Sequence, residues 1–161
     1  MAEQDTLNVK VVGPTPTWPT YIFPLKNYEF IEHTADVGIR VKGDDLEGLF
    51  ANAALAMFDV IAEAANEQAE KKEINIRLKA DNLEELFIDW LNELLSLSAT
   101  KELIFSAFKI TKLDKNNLEA QAFGSDSKNY RMNSEVKAAT YHQLKLEQLK
   151  SGWQAEVILD V

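Results

Sequence analysis

The stretch GIRVKGDDLEGLF, residues 38–50, changes its period halfway along, and that change decides the fold. In the first half apolar residues alternate: Val37, Ile39 and Val41 share one face of a strand. Asp44 then opens a helix, and Glu47 three residues on resembles the partner in a capping box. Behind it Leu46, Leu49, Phe50, Ala53, Ala54, Met57, Phe58 and Ile61 fall at helical spacing in one continuous stripe. A period of two that gives way to 3.6 within a few residues predicts strand, turn and helix.

The pattern recurs. NIRLKADNLEELF, residues 75–87, repeats it at an offset of 37, matching Ile39 with Ile76, Arg40 with Arg77, Asp44 with Asp81, Leu49 with Leu86 and Phe50 with Phe87. Two copies do not make a solenoid. They predict two similar helices laid on one sheet, with chance similarity of turn chemistry as the plainer alternative. The second helix would bury Leu83, Leu86, Phe87, Trp90, Leu91, Leu94 and Leu95, and expose Glu84, Glu85, Asp89, Asn92 and Glu93.

Outward from these units the chain reads as strands. YEFIEHT precedes the first unit, and the polar NEQAEKKE follows its helix as helix end plus loop. Strand patterns flank KNN at 115–117 and KSG at 150–152, two hairpin signals, with GSDSKNYRMNS at 124–134 as a polar loop between them. The sum is an α+β, two-layer domain: a mixed or mostly antiparallel sheet with two main helices on one face.

Residues 1–26 differ. They hold all four prolines, and GPTPTWPTYIFP cannot form a helix, so they read as an extended or disordered N-terminal extension before a domain over 27–161. The whole chain has 161 residues, enough for one domain with a real core. No apolar run reaches the ~20 residues of a membrane helix, and MAEQDTLNVK has neither the basic start nor the apolar stretch of a secretory signal. The expectation is a cytoplasmic protein that touches no membrane. With no cysteine, thiolate metal sites and thiol nucleophiles are excluded.

Net charge is −9, from 17 basic against 26 acidic residues. Such a surface repels phosphate backbones, so direct nucleic-acid binding is not expected. It suits a divalent cation or a basic protein partner, or serves solubility alone.

Three places offer chemistry. In EHTADVG, Asp36 sits at a junction between strands and presents hard oxygens suited to Ca²⁺ or Mg²⁺, while His33 fits a ligand or a base. The bland reading is a turn aspartate bonded to its own backbone and a half-buried structural histidine. In VKAATYHQL, alternation puts Val136, Ala138, Thr140 and His142 on one face and Lys137, Ala139 and Tyr141 on the other. A lysine inside a strand pattern neutralises carboxylates, receives a partner's phosphate, or simply faces solvent. In WQAEVILDV, Trp153, Ala155, Val157, Leu159 and Val161 share one face, and Asp160 stands on the other beside the terminal carboxylate of Val161. If that strand end reaches Asp36, three anionic groups converge and require a cation or a raised pKa. Otherwise Asp160 is a solvated strand end. Two histidines are too few for an ordinary zinc site. Phosphate loops, nucleophile elbows and H-E-x-x-H are missing from the sequence.

Together HTADVG, DWLNELL, VKAATYH and VILDV resemble the archease family over about residues 28–161. The resemblance implies a small α+β accessory protein, not an enzyme, that assists the RtcB-type RNA ligase of tRNA splicing and RNA repair. It promotes GTP-dependent guanylylation of a ligase histidine and multiple turnover. It also implies a divalent ion, assigned in the family as calcium with magnesium or manganese as alternatives, held by Asp36, Asp160 and the terminal Val161. Lys137 takes the place of the family's functional lysine. Where family members often have Gly-Glu, this chain has Gly124-Ser125, which puts partner contacts of the following loop in question. Two other readings are a general chaperone or adaptor with a structural metal, and a metal-dependent hydrolase using Asp36, His33 and Asp160.

Overall fold

A computed structural model of the chain describes residues 27–32, 36–66 and 68–161. The N-terminal extension, His33 and the rest of the 33–35 link lie outside the described residues. The order is β1 (Tyr28–Glu32), β2 (Val37–Gly43), α1 (Leu46–Ile61), β3 (Ala62–Ala64), β4 (Lys72–Lys79) and α2 (Leu83–Lys101). Then come β5 (Leu103–Leu113), β6 (Asn117–Asp126), a 3₁₀ turn (Ser127–Asn129), β7 (Tyr130–Met132), β8 (Ala138–Leu149) and β9 (Gly152–Asp160). The fold is α+β, and every strand pairing described is antiparallel.

The strands form three groups and not one sheet. Four run in the order β1-β2-β9-β8, three in the order β4-β6-β5, and β3 with β7 makes a two-stranded ribbon. The strands of the two repeat units, β2 and β4, therefore belong to different sheets. The repeat is real at the turns. Asp45 caps α1 by accepting from the Gly48 N–H at 2.7 Å, and Asn82 caps α2 by accepting from the Glu85 N–H at 2.8 Å. Those donors and acceptors are again 37 residues apart. The cap is one residue later than the sequence pattern placed it, at Asp45 rather than Asp44, since either aspartate of the pair can serve.

Each helix contacts strands of both larger sheets, α1 with β2, β9 and β5, and α2 with β8, β4 and β5. Sharing the helices between two sheets buries more of each than one stripe accounts for, so Ala56 of α1 and Ile88 of α2 are also in the core. Rings interlock there: Phe50 meets Phe87 edge-on at 5.1 Å, Phe58 meets Phe105 at 5.6 Å, and Trp90 meets Phe108 at 5.8 Å. The Trp90 Nε1–H, which cannot be left unpaired in this core, donates to the Phe50 carbonyl at 2.9 Å and ties α2 to α1.

Two polar segments carry more structure than their composition signals. NEQAEKKE follows β3, and its last residues, Lys72 and Glu73, already belong to β4. GSDSKNYRMNS completes β6, makes the 3₁₀ turn and then pairs as β7 with β3. The ribbon gives the backbone of Tyr130–Met132 its partners, and just past β3 the Asn66 N–H donates to the Asn129 carbonyl at 3.1 Å. Arg131 and Glu63 form an ion pair across it. Gly124 and Ser125 are strand residues, and Ser125 is buried, so the departure from the family pattern falls inside the sheet.

Candidate functional site

The four-stranded sheet brings the chemistry-bearing segments to one end. β2 and β9 pair with Val37 opposite Leu159. Just beyond that pair come Asp36 and Asp160, which the same register carried one step further would set side by side. On the other side of β9, Ala138 pairs with Asp160, the last pair of that ladder. The Lys137 N–H donates to the Asp160 carbonyl at 2.7 Å, closing that end of the β8–β9 ladder. Asp36 is half-buried, whereas Lys137, Asp160 and Val161 are exposed. Two carboxylates and one ammonium, more than a hundred residues apart at the extremes, thus share one tip.

Along β9 Ala155, Val157 and Leu159 are inside and Asp160 out as alternation predicts, but Ile158 on the Asp160 face is buried as well. In β8 the alternation fails. Val136 and Ala139 are both buried, and the register shifts between Thr140 and Lys145, so residues 141–144 bulge opposite a single residue of β9. Gln143 takes the left-handed conformation there, at φ 55°. Lys137 itself precedes the strand and does not lie in its middle. His142 sits in the bulge, exposed, and not at the tip with Asp36 and Asp160.

One tip residue escapes a periodicity reading. Asn92, assigned by spacing to the solvent side of α2, reaches across to β8: its Oδ1 accepts from the Ala139 N–H at 2.8 Å and its Nδ2 donates to the Ala139 carbonyl at 3.1 Å. The only sequence signal was an asparagine in mid-helix, where its side chain is an indifferent helix former that seeks backbone partners. One and two turns back on the same helix, Asp89 and Glu85 lie close enough for their charges to act on Tyr141 of the bulge. Burial, then the charge of Glu85, pushes the Asp89 carboxyl above the usual carboxylate range. Burial, then Asp89 and Glu85, pushes the Tyr141 phenol up.

Toward the other end of the sheet the outer face is a charge ladder. Arg40 pairs with Glu156 at 3.0 Å and with Glu29 at 2.5 Å, and these hydrogen bonds hold its guanidinium firmly protonated. This ladder consumes its own charges. The side chains of Lys137 and Asp160 make no ion pair among the described residues. No group of three His, Cys, Asp or Glu side chains among the described residues forms a metal cage. The tip offers two carboxylates at adjacent positions, so any remaining ligands would come from other oxygen donors. Carboxylates are hard oxygen donors, the kind a Ca²⁺- or Mg²⁺-type ion accepts.

A small acidic α+β protein whose strand ends gather two aspartates and a lysine at one tip is a narrow class. A profile of the Archease protein family matches residues 28–161, and the chain belongs to that family. It is similar to protein archease of Methanosarcina barkeri, 39% identical over 142 residues, covering 84% of this chain and 97% of that one. Protein archease of Pyrococcus abyssi is 40% identical over 144 residues, covering 85% and 100%. Among solved structures, a Methanobacterium thermoautotrophicum protein in solution superposes with a TM-score of 0.66 at 36% identity, covering 85% of this chain and 100% of that one. The crystal structure of a Thermotoga maritima archease, named a possible chaperone, gives 0.58 at 27% identity, covering 81% and 94%. Among the described residues no helix is long and apolar enough to cross a membrane.

Proposed function

We propose that this protein is a metal-binding accessory factor that activates an RtcB-type RNA ligase, promoting guanylylation of the ligase by GTP and repeated turnover. The observation that supports this most is convergence: Asp36, Asn92, Lys137 and Asp160, one from each of the four archease-like motifs, meet at one end of one sheet. Scattered structural residues have no reason to do so.

In this reading the carboxylates of Asp36 and Asp160, with the carboxylate of Val161, hold a divalent cation, Ca²⁺ or in its place Mg²⁺ or Mn²⁺. Bound there, the ion supplies compensating charge and open coordination positions for phosphate oxygens. Lys137 stands beside it as a fixed cation for the partner's phosphate or carboxylate. His142 in the bulge and His33, three residues before Asp36 in sequence, are further contacts for the partner. With a net charge of −9 the protein meets RNA through the ligase and not by itself.

The test is direct. Asp160→Ala should lower the rate of ligase guanylylation at least about tenfold, the usual scale for disturbing a metal site. It should also remove Ca²⁺ or Mn²⁺ binding in calorimetry. An unchanged guanylylation rate would overturn the assignment. A second reading, a general chaperone or adaptor, draws on the description of the Thermotoga relative. Residues appended after Val161 separate the two, because a terminal carboxylate ligand is lost on extension whereas an adaptor surface tolerates it.

A further inference from the structure

We infer that Asn92 is a positioning residue for the tip, acting from α2 on the otherwise open edge of β8. β8 is the last strand of its sheet, so the groups on its outer edge have no strand to pair with. At Ala139 the Asn92 side chain takes the place of that strand, accepting from the N–H and donating to the C=O of one residue. An amide is the one short uncharged side chain that offers a donor and an acceptor at this spacing.

The contact is anchored on both sides. Asn92 lies between Leu91 and Leu94, both fully buried, so its helix is held rigidly against the core. Ala139 is itself buried, and its unpaired N–H and C=O would have poor access to water. From Ala139 the effect passes through two neighbours. Ala138 pairs with Asp160, and the Lys137 N–H bonds the Asp160 carbonyl. Releasing Ala139 therefore frees the start of β8, which carries Lys137 and braces the backbone that aims the Asp160 carboxylate. The link from Asn92 to cation affinity rests on the metal reading of the tip, whereas the link to the order of β8 does not.

The experiment pairs Asn92→Ala and Asn92→Asp with Trp90→Phe, all on α2 in the full chain. Asn92→Asp keeps the acceptor for the Ala139 N–H and loses the donor to its carbonyl. Trp90→Phe removes the bond to Phe50 and serves as a control for loss of stability alone. Two readouts are taken at a temperature where each variant is folded: amide hydrogen exchange at Lys137 and Ala139, and Ca²⁺ affinity by calorimetry. Both Asn92 variants should exchange faster than wild type at Lys137, Asn92→Ala by about tenfold or more, and bind Ca²⁺ about tenfold more weakly, as outer-shell substitutions do. Trp90→Phe should leave both unchanged. Unaltered exchange at Lys137 in Asn92→Ala overturns the inference whether or not the protein binds metal. A wild-type chain that fails to bind Ca²⁺ refutes the metal reading and leaves the positioning role to be decided by exchange alone. Equal losses in Trp90→Phe would reduce Asn92 to a general stabiliser and also overturn it.

Discussion

Gly43 has no room for a side chain. A methyl group built there would lie 2.3 Å from the Leu49 nitrogen and 2.7 Å from the Gly48 carbonyl carbon, both backbone atoms of the first turn of α1. Backbone cannot swing aside as a long side chain can, so Gly43→Ala must push β2 and α1 apart. The expected cost is about 2–3 kcal/mol, in the range of overpacking, read from urea denaturation. Asp89 gives a second prediction with a definite sign. Its carboxyl titrates higher in the folded protein, from burial first and Glu85 second. Ionised, it therefore works against folding at pH values above its folded-state pKa, and this penalty fades as falling pH protonates it. Asp89→Asn should raise the Tm at neutral pH, with the advantage over wild type shrinking as pH drops into the carboxylate range. The same variant should bring the Tyr141 phenol down toward its ordinary value in an ultraviolet titration, since Asp89 is one of the charges holding it up.

At the scale of elements, the repeat makes its own prediction. Asp45 and Asn82 cap the two helices by equivalent bonds, so Asp45→Ala and Asn82→Ala should each cost about 1 kcal/mol. They differ in support. The Glu85 side chain reaches back to the Asp81 N–H at 2.8 Å, while the equivalent position in the first copy is Gly48 and offers nothing. Asn82→Ala is thus expected to be the milder of the two in chemical denaturation. Here the sequence was most legible. The 3.6-residue stripe placed Leu49, Phe50, Ala53, Ala54, Met57, Phe58 and Ile61 in the core, and all are buried. The two hairpins around KNN and KSG also appear as read. Illegible were β3 and β7, three residues each, because neither has a period of its own and each exists only through the other. The β8 bulge was hidden for a related reason: alternation describes a regular strand, and the extra residues at 141–144 are set by tertiary packing.

At the scale of the molecule, what could not be read was how the strands divide. Periodicity assigns a residue to a face, but not a strand to a sheet, and β2 and β4 look alike in sequence yet lie in separate sheets. The tip has the same character. Asp36 and Asp160 were recognisable as oxygen donors, but their meeting depends on the β2–β9 register, a pairing across more than a hundred residues. Such long-range pairing leaves no local trace. The helices join the two sheets into one body, since each touches strands of both. Neither sheet then has a complete core of its own, and the chain should unfold in a single step. Tryptophan fluorescence reads the packing around Trp90, fully buried between α1 and β5, together with Trp153 of β9 and Trp18, whereas far-UV circular dichroism is weighted by all the strands and helices together. Urea transitions followed by the two signals should coincide, in wild type and in Leu91→Ala alike, with the midpoint of the variant lowered by a loss of about 2–5 kcal/mol. Separate transitions would mean that one sheet survives without the helices, and that the tip, which belongs wholly to the four-stranded sheet and its brace from α2, can be lost while the other sheet persists.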